Sequence, residues 1–219
     1  MPFFDSFLYE FVRAHVMATY TLGFSFRFEG GRNIPKHGPA LLVANHESFL
    51  DPVGIGLTTS RQIHYLARKT LFVGKFGSFL RRVNCVPVDQ EGVAKEGLKT
   101  IIELLGQGKA VLVFPEGERC WNGKMQEFKP GIQLIIRKAR APIVPVGVAG
   151  AFDAFPRTSK RPRFSPLFMP ATKAAFAVSV GKPLDARRFA ELPREQSLKE
   201  LEDAVQSMKD RAQSLRRKV

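Results

Sequence analysis

Short apolar segments that alternate with helical segments are the feature that most constrains the fold of this chain. Apolar runs rich in Val, Ile or Phe lie at 40–45, 63–67, 85–88, 110–114, 143–148 and 174–180. Several of them are nearly continuous, which is typical of strands buried on both faces. Helices are predicted at 52–60, 70–82, 92–106 and 131–140. This order predicts the α/β class, with a central, mostly parallel or mixed sheet covered by helices.

Both ends of the chain are predicted to be helical. Residues 3–22 are rich in Phe, Leu, Val and Met with helical spacing, and this helix either packs on the central part or lies in a membrane interface. From Glu195 onward, apolar residues recur at intervals of three and four, which predicts an amphipathic C-terminal helix. We therefore predict an interfacial, membrane-associating helix at 1–23, a central domain at 24–185, and a C-terminal helix docked on that domain at 186–219.

Positive charge is concentrated in two segments of the chain. The sequence has 34 Lys and Arg residues against 20 Asp and Glu residues, a formal net charge of +14. Segments 52–88 and 154–184 contain no acidic residue and carry most of this excess. Such a field attracts an anionic partner, which is a nucleic acid, an anionic membrane or a phosphorylated substrate. The sequence contains no recognised nucleic-acid-binding motif, so we predict no nucleic-acid partner.

A histidine and an aspartate lie in the loop after the first predicted strand. His46 stands directly after Asn45, where the strand enters the loop, and active residues of open α/β sheets commonly lie at this edge. Asp51 precedes Pro52, and an aspartate cap followed by proline is also a usual start of a helix. A helix that begins at Asp51 would hold its carboxylate while the loop returns His46 to it. An imidazole oriented in this way is a general base for a hydroxyl group.

A second motif follows the predicted strand at 110–114. Residues 114–119, FPEGER, end this strand in a turn and place the guanidinium of Arg119 at the same edge of the sheet. Arginine is the side chain best suited to bidentate binding of a phosphate. Lys129-Pro130-Gly131 opens the next predicted helix, whose free N–H groups would add affinity for an anion. The two motifs together indicate a base beside an anion-binding site.

Four sequence blocks in this order resemble those of the lysophosphatidic acid acyltransferase (PlsC-like glycerolipid acyltransferase) family. Residues 45–51 match its NHxxxxD block, and residues 114–119 match its FPEGxR block. Residues 67–72 and 84–89 resemble the second block, and residues 143–146 resemble the fourth. The resemblance covers roughly residues 24–185, so it identifies the central domain as an acyltransferase domain.

The resemblance implies a mechanism without a covalent acyl-enzyme. In this family the histidine, here His46, is the general base on the acceptor hydroxyl, and the aspartate, here Asp51, orients it. The hydroxyl attacks the thioester of an acyl-CoA or an acyl carrier protein, which is a co-substrate. Neither Cys85 nor Cys120 is therefore expected to be a nucleophile, and the resemblance implies no metal and no bound cofactor.

The resemblance also assigns the phosphate of the acceptor to residues of the second and third blocks. These residues are Glu116, Gly117 and Arg119, with Arg68 and Lys69 as further cations. The sequence departs from the family pattern at Gln90, where the second block commonly has Arg, and at Glu118 and Cys120, where the third block often has small hydroxyl residues. A carboxylate beside Arg119 would either compete with the phosphate or point to solvent.

The function that we expect is transfer of a fatty acyl group to the free hydroxyl of lysophosphatidic acid (1-acylglycerol 3-phosphate), which forms phosphatidic acid in phospholipid biosynthesis. One alternative keeps the mechanism and uses another lysolipid or glycerol phosphate as acceptor. A more distant alternative is a basic, non-catalytic protein that binds membranes or nucleic acid.

The expected location is the surface of a membrane. No uncharged segment reaches the roughly 18 residues that a spanning helix needs. We therefore expect a peripheral or monotopic protein on the cytoplasmic face of the bacterial inner membrane. Its expected partner there is anionic lipid. Both basic segments are expected to face the same side as the N-terminal helix.

Overall fold

The computed structural model describes residues 2–88 and 94–219. In chain order its helices and strands are α1 (Pro2–Phe24), β1 (Arg27–Glu29), β2 (Ala40–Ala44), α2 (Asp51–Leu57), β3 (Ile63–Arg68), α3 (Gly74–Arg82), β4 (Cys85–Val88), α4 (Ala94–Gly106), β5 (Ala110–Val113), α5 (Gly131–Ala139), β6 (Ile143–Ala149), α6 (Ala151–Ala154), β7 (Ala177–Val180), α7 (Ala186–Glu191) and α8 (Arg194–Leu215). Short 3-10 helices lie at Gly31–Asn33 and Lys69–Leu71. Gln90 lies outside the described residues.

The described strands form one mixed sheet in the order β1-β7-β6-β2-β5-β3-β4. Strands β6, β2, β5, β3 and β4 are parallel, whereas β7 is antiparallel to β6 and parallel to β1. The carboxyl ends of β2, β3 and β5 therefore meet at one edge of the sheet. This topology confirms the predicted α/β class with a mixed, mostly parallel sheet.

Strand β2 explains why apolar runs predicted the sheet. Every residue of Ala40–Ala44 is at most 1% exposed. Leu42 belongs to the core that the sheet forms with α1 and α2, whereas Leu41 and Val43 belong to the core formed with α4, α5, α7 and α8. Since helices cover both faces, alternation of polar and apolar residues is absent from this strand.

The terminal helices contribute to these two cores. Helix α1 buries Tyr20 and Phe24 on the first face, and α8 buries Leu201 and Val205 on the second. Within the two described ranges, no helix is both long and apolar enough to cross a membrane. The boundaries predicted for the three segments of the chain stay a prediction.

The elements β1, α6 and α7 were not predicted from the sequence. Strand β1 is only three residues long and contains two charged residues, and its register pairs Phe28 with Val178 of β7. Helix α7 is separated from α8 by a short break at Leu192-Pro193. The predicted strand at 174–180 is shorter than expected, because only Ala177–Val180 form the ladder. These elements depend on pairing with distant residues and leave a weak local pattern.

The first basic segment, residues 52–88, carries positive charge to both edges of the sheet. Arg61 donates hydrogen bonds to the carbonyl oxygens of Gly38 and Gly108, which precede β2 and β5. Arg68 ends β3 and therefore lies at the opposite edge of the same sheet. Arg61 therefore departs from the single side that was expected for both segments, because the segment crosses the sheet; for the other charges the common side stays a prediction.

Helix α8 crosses β6 at Gly147 with almost no space between the two backbones. A Cβ on Gly147 would lie 2.0 Å from the backbone nitrogen of Lys209 and 2.0 Å from the carbonyl carbon of Met208. Distances this short are not tolerated between real atoms, so only glycine permits this approach. The sequence position of Gly147 thus determines how deeply α8 sits on the sheet.

We expect Gly147→Ala to lower the free energy of unfolding by about 3 kcal/mol, since the added methyl group pushes α8 away from the sheet. Unfolding in urea, followed by circular dichroism, measures this change. The matched control is Gly106→Ala at the end of α4, where a Cβ meets nothing within 4 Å. The control should leave the free energy of unfolding unchanged or slightly higher. Equal losses in the two variants would contradict the proposed close packing.

Candidate active site

His46 and Asp51 are in direct contact at the carboxyl edge of the sheet. The Nδ1 atom of His46 lies 2.8 Å from Oδ2 of Asp51. The same oxygen accepts hydrogen bonds from the backbone N–H groups of Glu47 at 2.6 Å and Ser48 at 2.7 Å. Because the carboxylate acts as an acceptor, Nδ1 of His46 carries the proton and Nε2 keeps a free lone pair in the neutral ring.

Asp51 is fully buried and organises the loop before it. The prediction that its side chain caps α2 is wrong, since α2 begins without a side-chain cap among the described residues. Its carboxylate accepts hydrogen bonds from backbone N–H groups of the loop before the helix, and not from those of the first helical turn. Pro52 has no N–H group to offer in that turn, which leaves the carboxylate available to the loop.

The ring of His46 and the residue before it are held by two further elements. The ring stacks on Phe114 at the end of β5, with centroids 3.9 Å apart and an interplanar angle of 14°. Asn45 is buried, donates to the carbonyl of Val148 at 3.0 Å and accepts from its N–H at 2.8 Å. The contacts of Asn45 join β2 to β6 directly before the loop, so the backbone that leads into His46 is held in place.

Glu116 joins the two sequence motifs from inside the protein. One carboxylate oxygen accepts from the N–H of His46 at 2.7 Å, and the other accepts from the N–H of Gln126 at 2.9 Å. Burial raises the pKa of Glu116 to about 7, although the two amide hydrogen bonds act in the opposite direction. Both oxygens of Glu116 are thus engaged with backbone N–H groups inside the protein, and its part in phosphate binding stays a prediction.

Gly117 and Arg119 bring the second motif to the surface beside the catalytic loop. Gly117 has a φ of 80°, and a Cβ there would lie 2.5 Å from Nζ of Lys129. Arg119 places its guanidinium carbon 3.6 Å from the ring centroid of Phe49, in the loop between His46 and Asp51. The N–H of Cys120 also donates to the carbonyl of His46 at 2.8 Å. Arg119 is therefore packed against the loop of the candidate base.

Three further cations lie near Glu118 and Arg119. Burial, together with the guanidinium groups of Arg157 and Arg68, lowers the pKa of Arg119. Arg157 lies over the ring of Trp121 at 3.5 Å and donates to the carbonyl of Arg119 at 3.1 Å. The positive charges of Arg157, Lys129 and Arg68 all act on the neighbouring Glu118. We use the term cation cluster for Arg68, Arg119, Lys129 and Arg157. Such a group of positive charges close to the loop that carries His46 is suited to an anionic substrate.

Glu118 and Lys69 take different places from those that the sequence suggested. Glu118 does not pair with Arg119; its carboxylate lies 2.9 Å from the guanidinium of Arg157, and this hydrogen bond lowers the pKa of Glu118. Lys69 is exposed and begins the 3-10 helix after β3, so its part in phosphate binding stays a prediction. Only part of the predicted phosphate site is thus brought together by the fold.

The two cysteines lack the properties of nucleophiles. Burial raises the pKa of both Cys85 and Cys120 to about 11. A thiol with such a pKa stays protonated at neutral pH, and only the thiolate attacks efficiently. Across residues 2–88 and 94–219, no group of three or more His, Cys, Asp and Glu side chains is arranged to hold a metal ion.

Several residues of the site were missed by sequence reasoning. The sequence pattern marks Asn45 only as part of a motif, and Lys129 only as the residue before a helix start. Arg157 belongs to the irregular basic segment, where nothing local distinguishes it from its neighbours. The only usable signal was the absence of acids in that segment.

Comparisons with known proteins agree with this geometry. The family model "Acyltransferase" matches residues 25–149, which include both motifs. The chain is 29% identical over 200 residues to the 1-acyl-sn-glycerol-3-phosphate acyltransferase of Bacillus subtilis (strain 168), and the alignment covers 90% of this chain and 93% of that protein. It is 30% identical over 146 residues to human 1-acyl-sn-glycerol-3-phosphate acyltransferase beta, with 65% of this chain and 52% of the human protein covered.

A solved structure shows the same fold. The crystal structure of the 1-acyl-sn-glycerophosphate (LPA) acyltransferase PlsC from Thermotoga maritima superimposes with a TM-score of 0.69 at 25% sequence identity. The superposition covers 97% of this chain and 86% of that protein. With the family model spanning more than half of the chain and both motifs meeting at one edge of the sheet, this protein is an enzyme of the acyltransferase family.

Proposed function

We propose that the protein transfers a fatty acyl group from an acyl thioester to the free hydroxyl of lysophosphatidic acid (1-acylglycerol 3-phosphate), and so forms phosphatidic acid in phospholipid biosynthesis. The observation that carries this proposal is the pairing of Nδ1 of His46 with buried Asp51, in a loop against which Arg119 packs through Phe49. The bacterial and human relatives bear names that describe this reaction.

In the proposed step, His46 acts as a general base and then as a general acid. Its Nε2 atom takes the proton of the acceptor hydroxyl while the hydroxyl oxygen forms a bond to the thioester carbonyl carbon. The C–S bond then breaks, and the leaving thiolate takes the proton from Nε2. Asp51 holds the tautomer throughout and stabilises the transient imidazolium. The protonated thiols of the two cysteines favour direct transfer over an acyl-cysteine intermediate.

The cation cluster is the proposed site of the acceptor phosphate. Arg119 is the central contact, because it packs on the loop that carries His46 and has a planar guanidinium suited to bidentate binding. Arg68 and Lys129 would add positive charge from neighbouring loops. Gly117 leaves room for the Lys129 side chain, and Glu116 supports the loop from below.

The pairing of Glu118 with Arg157 favours one alternative acceptor. This ion pair lies partly exposed beside Arg119 and neutralises part of the cation cluster. Another lysolipid, whose headgroup carries hydrogen-bond donors as well as a phosphate, could donate to the carboxylate of Glu118 and place its phosphate on the cations. We propose acyl-CoA or acyl carrier protein as the thioester donor for either acceptor.

We propose that the enzyme works on an anionic membrane surface. The apolar loop, which we define as residues 164–169, exposes Phe168 at 87% and Met169 at 60%. Backbone hydrogen bonds from Ser165 to the carbonyl of Gly23 and from Leu167 to the carbonyl of Leu22, both 2.9 Å, join this loop to the end of α1. Exposed apolar side chains next to basic ones are typical of peripheral membrane binding, here Arg161, Arg163 and Lys173.

The apolar loop and α1 lie beside the catalytic loop. Tyr20 of α1 donates a hydrogen bond to the carbonyl of Leu50, the residue before Asp51, at 3.2 Å. A lipid acceptor that enters from a membrane at this face would thus reach His46 without leaving the interface. We propose the cytoplasmic face of the bacterial inner membrane as the location.

We expect His46→Ala to lower kcat at least about 100-fold, because the hydroxyl then loses its general base. Formation of phosphatidic acid from labelled lysophosphatidic acid and acyl-CoA measures this effect. The matched control is His37→Ala, which removes an exposed histidine in a turn and should keep full activity. Unchanged transfer by His46→Ala would refute the mechanism.

We expect Arg119→Ala to raise the KM for lysophosphatidic acid about tenfold or more, because charge-assisted hydrogen bonds to the phosphate are lost. Steady-state kinetics with varied acceptor measure this change. Transfer to monoacylglycerol, which has no phosphate, should not become weaker. Arg137→Ala, at an exposed position in the last turn of α5, is the control. An unchanged KM in Arg119→Ala would rule out Arg119 as the phosphate contact.

We expect the double substitution Phe168→Ser and Met169→Ser to weaken binding to vesicles of phosphatidylcholine and phosphatidylglycerol, since both exposed apolar side chains are lost. Vesicle flotation measures the bound fraction. Leu134→Ser is the control, because this residue is 45% exposed on α5, which packs on the opposite face of the sheet. Equal flotation of the double variant and wild type would exclude the apolar loop as an anchor.

A further inference from the structure

A buried ion pair lies directly behind the catalytic loop and has no part in the step described above. Nζ of Lys209, on α8, lies 3.1 Å from Oε1 of Glu47, the residue after His46. The two side chains are 14% and 4% exposed. Burying both charges costs free energy, so a buried pair of this kind needs an explanation beyond stability.

Lys209 reaches this position because of how α8 packs. The backbone contact at Gly147 brings α8 against β6 at Met208 and Lys209. The ammonium group also donates to the carbonyl of Gly123 at 2.6 Å, in the segment after the FPEGER motif. One side chain of the C-terminal helix therefore contacts the first motif at Glu47 and the segment that follows the second motif.

Glu47 transmits this contact to the reacting histidine. Its second carboxylate oxygen accepts from the N–H of Phe152 at 3.1 Å, which leaves the side chain little freedom. Its own backbone N–H donates to Oδ2 of Asp51 at 2.6 Å. The path from Lys209 to His46 thus runs through Glu47 and Asp51, with a direct polar contact at every step.

Lys209 also balances the charge of this region. Glu47, Glu116 and Asp51 are buried close together. Burial raises the pKa of Glu47 to about 7, and the charge of Lys209 opposes this rise while that of Asp51 adds to it. The pKa of Glu116 responds to the same two charges in the same directions. Loss of Lys209 would leave two carboxylates beneath His46 without their cation.

We propose that Lys209 is a positioning residue for acyl transfer, which holds Glu47 and thereby the Asp51–His46 pair in the geometry for proton transfer. This inference rests on the proposed function, and it makes the C-terminal helix part of the active site. Lys209 does not touch the substrate in this proposal. Its loss is therefore expected to affect kcat and to leave the KM for the acceptor unchanged.

The kinetic test uses four variants of the full chain. Lys209→Met should lower kcat at least tenfold with a KM within twofold of wild type. Glu47→Gln removes a buried charge without loss of volume and should lower kcat severalfold, also without a change in KM. The double variant should regain activity relative to Lys209→Met, since the unpaired carboxylate is then absent. Lys199→Met, which breaks an exposed pair with Asp203 on the same helix, should match wild type.

A spectroscopic measurement tests the geometry without any activity. In protein labelled with ¹⁵N-histidine, the Nδ1–H proton of His46, assigned by its loss in His46→Asn, reports the bond to Asp51. This signal should shift or broaden in Lys209→Met and Glu47→Gln and stay unchanged in Lys199→Met. If the wild-type protein does not acylate lysophosphatidic acid, the proposed function fails. The Nδ1–H signal of His46 still shows in that case whether Lys209 positions the His46–Asp51 pair.

Three kinetic results would overturn the role of Lys209. They are full kcat in Lys209→Met, a KM that rises by the factor by which kcat falls, or a double variant as slow as Lys209→Met. An unshifted His46 signal in both single variants would do the same. If Lys209→Met does not fold, Glu47→Gln decides the question alone, because it removes the same ion pair from the other side.

Discussion

One buried carboxylate oxygen organises the candidate active site of this protein. Oδ2 of Asp51 accepts hydrogen bonds from the ring of His46 and from the backbone of Glu47 and Ser48. The loop between strand β2 and helix α2 is therefore wrapped around a single acceptor atom. Since the same atom orients the imidazole, the shape of the loop and the orientation of its histidine depend on one acceptor atom.

The rest of the fold supports this loop from strands that are distant in sequence. Asn45 joins β2 to Val148 of β6, and Glu116 joins the end of β5 to the backbone of His46. The backbone of Cys120 returns to the carbonyl of His46. Parallel strands place all these contacts at one edge of the sheet. The two motifs meet there through backbone contacts and need no direct bond between the side chains of His46 and Arg119.

Charge is arranged on two sides of the loop that carries His46. On the solvent side lies the cation cluster that includes Arg119, and the pair of Glu118 with Arg157 neutralises part of its charge. On the inner side Lys209 lies among buried carboxylates. Glu118 thus changes the charge of the proposed acceptor site and leaves the pair of His46 and Asp51 intact.

The sequence alone determined the α/β class, most strands and helices, and the candidate pair His46 and Asp51. Continuous apolar runs reveal strands buried on both faces, and residues five positions apart in one loop are held close by the chain itself. Only the tertiary structure decided that Glu116 faces inward, that Glu118 pairs with Arg157, and that Lys209 lies behind the loop. Those contacts join residues far apart in the chain, and their distances follow from the packing of helices on the sheet, which no local pattern records.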